Sequence, residues 1–250
     1  MTPREWDAQA YETLAEPQDS WGLRILALLE LQGNETVLEA GCGAGRDTAR
    51  LLERLPRGRV IALDGSARML DRLRARVAGN LDRVEVVHAD LAHPLPLTTP
   101  VDVVFSVAAF HWVQDHGALF RHLSAVMRPG GRLVADCGGK GNIAQVSAAV
   151  EKVTGLPAEP GIWNFSEPQA VRRRLAAAGF THIQVDLHRH PMRFTERSHL
   201  ERFLTSVVLG SHLERLPASE RVQFVKDVAA NLPDGEIDYV RLTLKAVKNG

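Results

Sequence analysis

Short apolar, β-branched runs alternate with longer stretches of helical spacing through most of the chain. Thr36-Val37-Leu38-Glu39, Arg59-Val60-Ile61-Ala62-Leu63, Val84-Glu85-Val86-Val87, Val101-Asp102-Val103-Val104-Phe105 and Arg132-Leu133-Val134-Ala135-Asp136 read as strands. Between them, residues 46–55 place Ala49, Leu51, Leu52 and Leu55 near helical spacing, and residues 66–77 open on Ser66 as an N-cap. This rhythm predicts an α/β fold with a doubly wound, mostly parallel sheet and helices on both faces.

The end of the chain is patterned differently. Residues 182–188 and 239–245 alternate strictly between apolar and polar, as half-exposed and often antiparallel strands do. Ser166-Glu167-Pro168-Gln169 predicts a capping box with proline in the first turn, opening a helix that ends near Gly179. Three stretches stand outside the alternation: 1–22, 138–165 and 191–236, the last holding helices over 196–209 and 218–232. Segments placed after strand ends are expected to form a helical cap over a binding crevice, with a cofactor-binding core at 23–137 inside a single domain, 1–250. The alternative is that they only pack on one edge of the sheet.

Composition changes this picture little. The 250 residues are 45% hydrophobic and 24% charged, with zero formal net charge, so no global field draws the chain to nucleic acid or an anionic membrane. Arg172-Arg173-Arg174 falls in an amphipathic helix and reads as a solvated face. The start lacks the apolar stretch of a secretory signal, and the longest apolar run, 101–113, is too short to span a bilayer and carries a histidine. Cys42 and Cys137 are too far apart in sequence to suggest a disulfide framework. A cytoplasmic protein, monomer or homodimer, is the expectation.

The chemistry gathers at the first strand's end, where Glu39-Ala40-Gly41-Cys42-Gly43-Ala44-Gly45 leads straight into a helix. Glycines there let the backbone turn tightly and approach a ligand without a Cβ in the way. Asp64, ending the second strand, suits both ribose hydroxyls of a nucleoside. A dinucleotide fingerprint would read G-x-G-x-x-G; here the third glycine comes one position early and Arg46 takes its place, which weakens a nicotinamide-dinucleotide reading.

Residues 37–45 resemble motif I of class I S-adenosylmethionine-dependent methyltransferases, E/D-x-G-x-G-x-G. Asp64-Gly65-Ser66-Ala67-Arg68-Met69-Leu70 resembles that family's second-strand acidic motif, and His88-Ala89-Asp90-Leu91 its third. Residues 101–106 and 128–133 are similar to the fourth strand and to the turn into the fifth, so the resemblance covers roughly residues 35 to 137 in the family's order. It implies a seven-stranded Rossmann-like sheet with the last strand antiparallel, and S-adenosyl-L-methionine as cofactor. It also implies cofactor contacts from Glu39 and the turn glycines Gly41, Gly43 and Gly45. Asp64 and Gly65 would meet the ribose, Met69, Ala89, Asp90 and Leu91 the adenine, and Ser106 the amino group. Tyr11, with Gln9, would fold over the cofactor and meet its methionyl end or the substrate. Cys42 reads as a small filler within the turn.

Ala108-Ala109-Phe110-His111-Trp112-Val113 sits where the family meets its acceptor, and it looks most like trans-aconitate and juvenile hormone acid methyltransferases, which esterify carboxylates. That resemblance implies that Trp112 holds a substrate acid and that His111 adds a donor or acts as a base. Both have a packing alternative. Residues 161–165 are a further candidate wall. His188 and His190 share a strand face but lack a completing ligand, and His111, His116 and His122 miss the i, i+4 spacing of a helical zinc pair, so no metal is expected. The function expected is methyl transfer to a small-molecule acceptor, at oxygen, with a carboxylate among the candidates. Alternatives are methylation of a macromolecule, or a cofactor-binding protein with a cyclase-like or binding role.

Overall fold

The computed structural model describes residues 16–156 and 162–250. Strands β1 (Thr36–Ala40), β2 (Arg59–Asp64), β3 (Val84–His88), β4 (Val101–Val107), β5 (Met127–Gly138), β6 (Phe180–Arg189) and β9 (Val240–Lys248) form one sheet in the order β3-β2-β1-β4-β5-β9-β6. Neighbouring strands run parallel from β3 through β5, while β9 is antiparallel to both β5 and β6. The doubly wound sheet with an antiparallel last strand is therefore present.

Alternation along each strand sorts the core into two layers. Val37, Val60, Ala62, Val103 and Phe105 face helices α1 (Glu16–Leu26), α2 (Arg46–Arg54) and α3 (Ala67–Arg76), through Ile25, Leu26, Leu51, Leu52, Leu70 and Leu73. Leu38, Ile61, Leu63, Val104 and Leu133 point to the other face, where α4 (His116–Ala125) and α6 (Pro168–Ala177) cover them with Leu119, Phe120, Leu123, Val171 and Leu175. Ser66 caps α3 as its pattern predicts, accepting from the Met69 N–H at 3.3 Å. Asp115 does the same for α4 through the Ala118 N–H.

A second apolar cluster lies beyond the carboxyl ends of the strands. It joins α5 (Ala144–Thr154), α7 (Arg197–Phe203), α8 (Gly210–Leu213), α9 (Ala218–Ala230) and the two-residue strands β7 (Met192–Arg193) and β8 (Glu236–Ile237) with Trp21 of α1 and Tyr239. The helix expected over 196–209 is not continuous. Leu204–Val208 forms a π-turn in which the Leu209 N–H reaches back to the Leu204 carbonyl at 2.7 Å.

The capping box expected at 166–169 is absent. Glu167, not Ser166, is the N-cap of α6 and makes no side-chain cap bond, with Pro168 first in the helix. The Ser166 hydroxyl instead donates to Asn164 Oδ1 at 2.7 Å and accepts from Arg174 Nη1 at 2.9 Å, partners in the preceding loop and farther along α6 that take the place of the cap. Arg174 is thus drawn inward, whereas Arg172 and Arg173 are exposed as a solvated face requires.

Candidate functional site

β1 and β4 are neighbours whose following connections lead to opposite sides of the sheet, and the crevice at such a switch point is where doubly wound sheets bind ligands. A cavity of about 880 Å³ opens there, towards the large end of the roughly 300–1,000 Å³ typical of small-molecule sites. Gly41 and Gly43 after β1, Asp64, Gly65 and Met69 after β2, and Ala89, Asp90 and Leu91 after β3 line one half. His111 and Trp112 after β4 line the other, with Trp163, Phe165 and Arg241.

The glycine turn is held by short bonds. Gly41 and Cys42 N–H groups donate to the Leu63 carbonyl, at 2.8 and 3.0 Å, and Gly43 N–H donates to Asp64 Oδ2 at 2.8 Å. Asp64 Oδ1 accepts from the Ser66 N–H at 2.9 Å. One carboxylate thereby ties the turn after β1 to the turn after β2. Gly43 has φ +52°, and a Cβ built on it meets nothing within 4 Å because that face opens on the cavity. An open backbone face, an acidic end to β2 and apolar walls from Met69 and Leu91 fit a nucleoside bearing a short polar tail.

Three expected cofactor contacts lie off the cavity wall. Glu39 is 3% exposed and accepts from the Thr48 hydroxyl at 2.5 Å, and burial, followed by the nearby Asp47, raises its carboxyl well above the ordinary range. Gly45, with φ +81°, is the N-cap of α2, and a Cβ there would sit 2.7 Å from Leu73 Cγ, so its smallness serves helix packing. Ser106 is buried and donates to the Ala40 carbonyl at 2.7 Å, stitching β4 to β1. Tyr11, Gln9 and Gly161 lie outside the described residues. Cys42 and Cys137 are buried; burial pushes the Cys42 thiol well up and that of Cys137 to about 12, so neither is poised as a nucleophile.

The chain enters the second half under strain. Ala108, directly after β4, has φ +58°, and Ile143, before α5, has φ +48°; both line the cavity. Such conformations cost roughly 1–3 kcal/mol and persist where surrounding structure fixes them. Here the Ala108 N–H is held by the Asp136 carbonyl at 2.7 Å and the Ile143 N–H by that of Asp238 at 3.1 Å.

His111 is 8% exposed. The Gly138 N–H points at its Nδ1 from 3.3 Å, and an amide N–H only donates, so Nδ1 is the acceptor. Burial, then the charge of Arg241, then His116 hold its pKa well below the ordinary histidine value. The ring is neutral near pH 7 and carries its proton on Nε2. In that tautomer Nε2 is an N–H donor.

Asp136, Arg241, Arg24 and Trp21 were not singled out from sequence, whereas Ile162, Trp163 and Phe165 of the wall expected at 161–165 do line the cavity. Asp136, fully buried, accepts from Arg241 Nε and Nη2 at 2.7 and 2.5 Å on one oxygen, and from Arg24 Nη2 at 2.5 Å and Thr243 Oγ1 at 3.0 Å on the other. Arg241 is 1% exposed and stacks on Trp21, 3.7 Å from the ring centroid. Loop 162–167 is pinned from behind: Asn164 N–H to the His111 carbonyl at 2.8 Å, Asn164 Nδ2 to the Gln114 carbonyl at 2.8 Å, and His116 Nδ1 3.3 Å from Ser166 Oγ. Gly138 permits it, since a Cβ there would lie 2.7 Å from Phe165. The paired glycines 138 and 139 ending a strand were the available signal of this close approach.

A family profile described as a methyltransferase domain matches residues 37–131, the span carrying the turn, Asp64 and the third- and fourth-strand residues. These residues form a class I S-adenosylmethionine-dependent methyltransferase domain. Over 128 residues the chain is 39% identical to trans-aconitate 2-methyltransferase of Azoarcus sp., an alignment covering 51% of this chain and 49% of that protein. The matched segment thus spans about half the length of that relative. A longer alignment, 235 residues at 27% identity, joins it to trans-aconitate 2-methyltransferase of Rhizobium etli over 89% of this chain and 87% of the other. Among solved structures, a methyltransferase-fold protein from Bacillus halodurans superposes with a TM-score of 0.66 at 19% identity, over 92% of this chain and 100% of that one, a likeness of fold. Among the described residues no helix is long and apolar enough to cross a membrane, and no group of three or more metal-ligating side chains is assembled.

Proposed function

We propose that the protein transfers a methyl group from S-adenosylmethionine to an oxygen of a small molecule, and that this oxygen belongs to a carboxylate. The cofactor supplies a methyl group on a sulfonium, which reacts in line with an incoming lone pair. Asp64 would take the ribose hydroxyls, Met69 and Leu91 the faces of adenine, Ala89 and Asp90 its edge, and the open face of Gly43 the backbone-close part of the tail.

The observation that carries the acceptor class is the fixed tautomer of His111. A phenol or an amine needs a base to take its proton as the new bond forms, and His111 presents N–H rather than a lone pair. A carboxylate is already ionised at neutral pH, and what it needs is donors and orientation. His111 Nε2–H and Trp112, both on the cavity wall, suit that task. The trans-aconitate methyltransferase relatives support the same reading.

The test is transfer of labelled methyl to panels of carboxylic acids, phenols, amines, a protein and an RNA. Methyl esters as the dominant products are expected. Preferred labelling of phenols, amines or macromolecules would overturn the carboxylate, and cofactor binding without any transfer would favour a non-methylating role.

A further inference from the structure

The acceptor half of the cavity has a composition that narrows the acid, given the reading of the site just proposed. Four rings close a cycle along its wall. His111 and Trp112 have centroids 5.2 Å apart, Trp112 and Trp163 6.3 Å, Trp163 and Phe165 5.6 Å, and Phe165 and His111 5.9 Å. Trp163 and Phe165 are nearly parallel, 13° between planes, and both line the cavity. Because Asn164 and Ser166 pin their loop from behind, this π surface is formed before any ligand arrives.

Among the described residues, charge in this half is sparse. Arg241 is the deeply buried cation on the wall, its Nε and Nη2 committed to Asp136 and its Nη1 without a hydrogen bond to any described residue. Arg24 shares the same carboxylate, so two guanidiniums face one carboxylate and the cluster holds one surplus positive charge. His188, 4.0 Å from Asp136, has its pKa lowered first by burial and adds no charge near pH 7. His111 is neutral. Among the described residues, the other charged side chains near this rim, Asp115, Glu214 and Arg215, are exposed.

We infer that the acceptor is an acid with a single carboxylate on a flat, unsaturated or aromatic body, the body lying against Trp163 and Phe165 and the carboxylate drawn to the Arg241 end beside His111. One surplus charge answers one carboxylate. A tricarboxylate would bring three negative charges against a wall that is mainly rings, and at least two would be desolvated without a partner.

The experiment uses the full chain saturated with S-adenosylhomocysteine and follows binding calorimetrically. Cinnamate is expected to bind at least about tenfold more tightly than cinnamamide and than trans-aconitate, since loss of a charge-assisted bond or an unpaired buried charge exceeds a factor of ten. Trp163→Ala should weaken cinnamate about tenfold while leaving the small acid crotonate within about twofold. Arg241→Gln, which leaves Arg24 against Asp136 and no surplus charge, should abolish the preference for acid over amide; where it does not fold, the wild-type acid-to-amide ratio decides. Tighter binding of trans-aconitate, equal binding of acid and amide, equal loss of both acids in Trp163→Ala, or no binding of cinnamate would overturn the inference. Methyl transfer is scored separately. Efficient esterification of trans-aconitate sinks the inference and keeps the proposed activity, while cinnamate bound but never methylated does the reverse.

Discussion

Gly43 and Gly45 belong to one motif yet are small for different reasons, and alanine at each separates them. Both have left-handed backbones, φ +52° and +81°, so a Cβ costs about 1 kcal/mol in strain at either position. At Gly43 nothing stands within 4 Å of that Cβ, and strain is the whole penalty, lowering the melting temperature by roughly 2–4 °C for a chain this size. At Gly45 the Cβ lies 2.7 Å from Leu73 Cγ and 3.2 Å from Leu73 Cα, so the backbone of α3 must yield. Overpacking of that kind adds about 1–3 kcal/mol, for about 2–4 kcal/mol in all.

Binding should rank the two oppositely. The methyl of Gly43→Ala projects into the half of the cavity assigned to the cofactor, and displacing a close-packed ligand by the same 1–3 kcal/mol corresponds to roughly 5–150-fold in affinity. Urea unfolding of each variant, paired with calorimetric titration of S-adenosylhomocysteine, reads both quantities. Gly43→Ala is expected to be nearly as stable as the parent but a poor binder. Gly45→Ala is expected to be markedly less stable, with nearly normal affinity in its folded fraction. Wild-type affinity in Gly43→Ala would refute the placement of the cofactor against this turn, and equal destabilisation by the two would refute the packing argument.

Asp136→Ala leaves Arg241, 1% exposed, as a buried cation without its main partner, which should cost about 3–5 kcal/mol in urea unfolding; a loss below about 1 kcal/mol would show that the pair is not buried in solution. Burial lowers the His116 pKa to about 4, below its unfolded value near 6.5, so the unfolded chain binds the extra proton first and stability falls as pH drops from 6.5 towards 4. By pH 5 this single histidine removes about 2 kcal/mol, and His116→Gln should flatten that part of the profile measured by denaturant midpoint. Asn164→Ala releases the loop bearing Trp163 and Phe165, and should raise KM for the acceptor several-fold while leaving cofactor affinity unchanged; a fall in cofactor affinity of similar size would contradict the division of the cavity.

What the sequence determined by itself was local or periodic. Alternation along Val37-Leu38 or Val103-Val104 assigns neighbouring residues to opposite faces, and Ser66 three residues before Met69 announces its own cap. The turn from Gly41 to Gly45 and the acid at Asp64 were legible because the backbone conformation and the residue type are linked within a few positions. The four residues 166–169 show the limit of that logic: they carry a capping pattern, yet Ser166 faces Asn164, His116 and Arg174, whose positions depend on how α4 and α6 pack. Glu39, Gly45 and Ser106 likewise sit within or beside motifs of the cofactor site but turn to Thr48, Leu73 and Ala40.

His111, Trp112 and the 161–165 stretch were named from sequence as acceptor-side candidates, but tertiary structure decided how that half is assembled. Arg241 looked like one polar position in an alternating strand, and became a buried cation on the cavity wall because antiparallel pairing of β9 with β5 brings it to Asp136, 105 residues away. The ring cycle joins residues after β4 to a loop some fifty positions later, and the tautomer of His111 is set by an amide of β5. Such contacts follow from strand order and loop closure, and no spacing within a single segment encodes them.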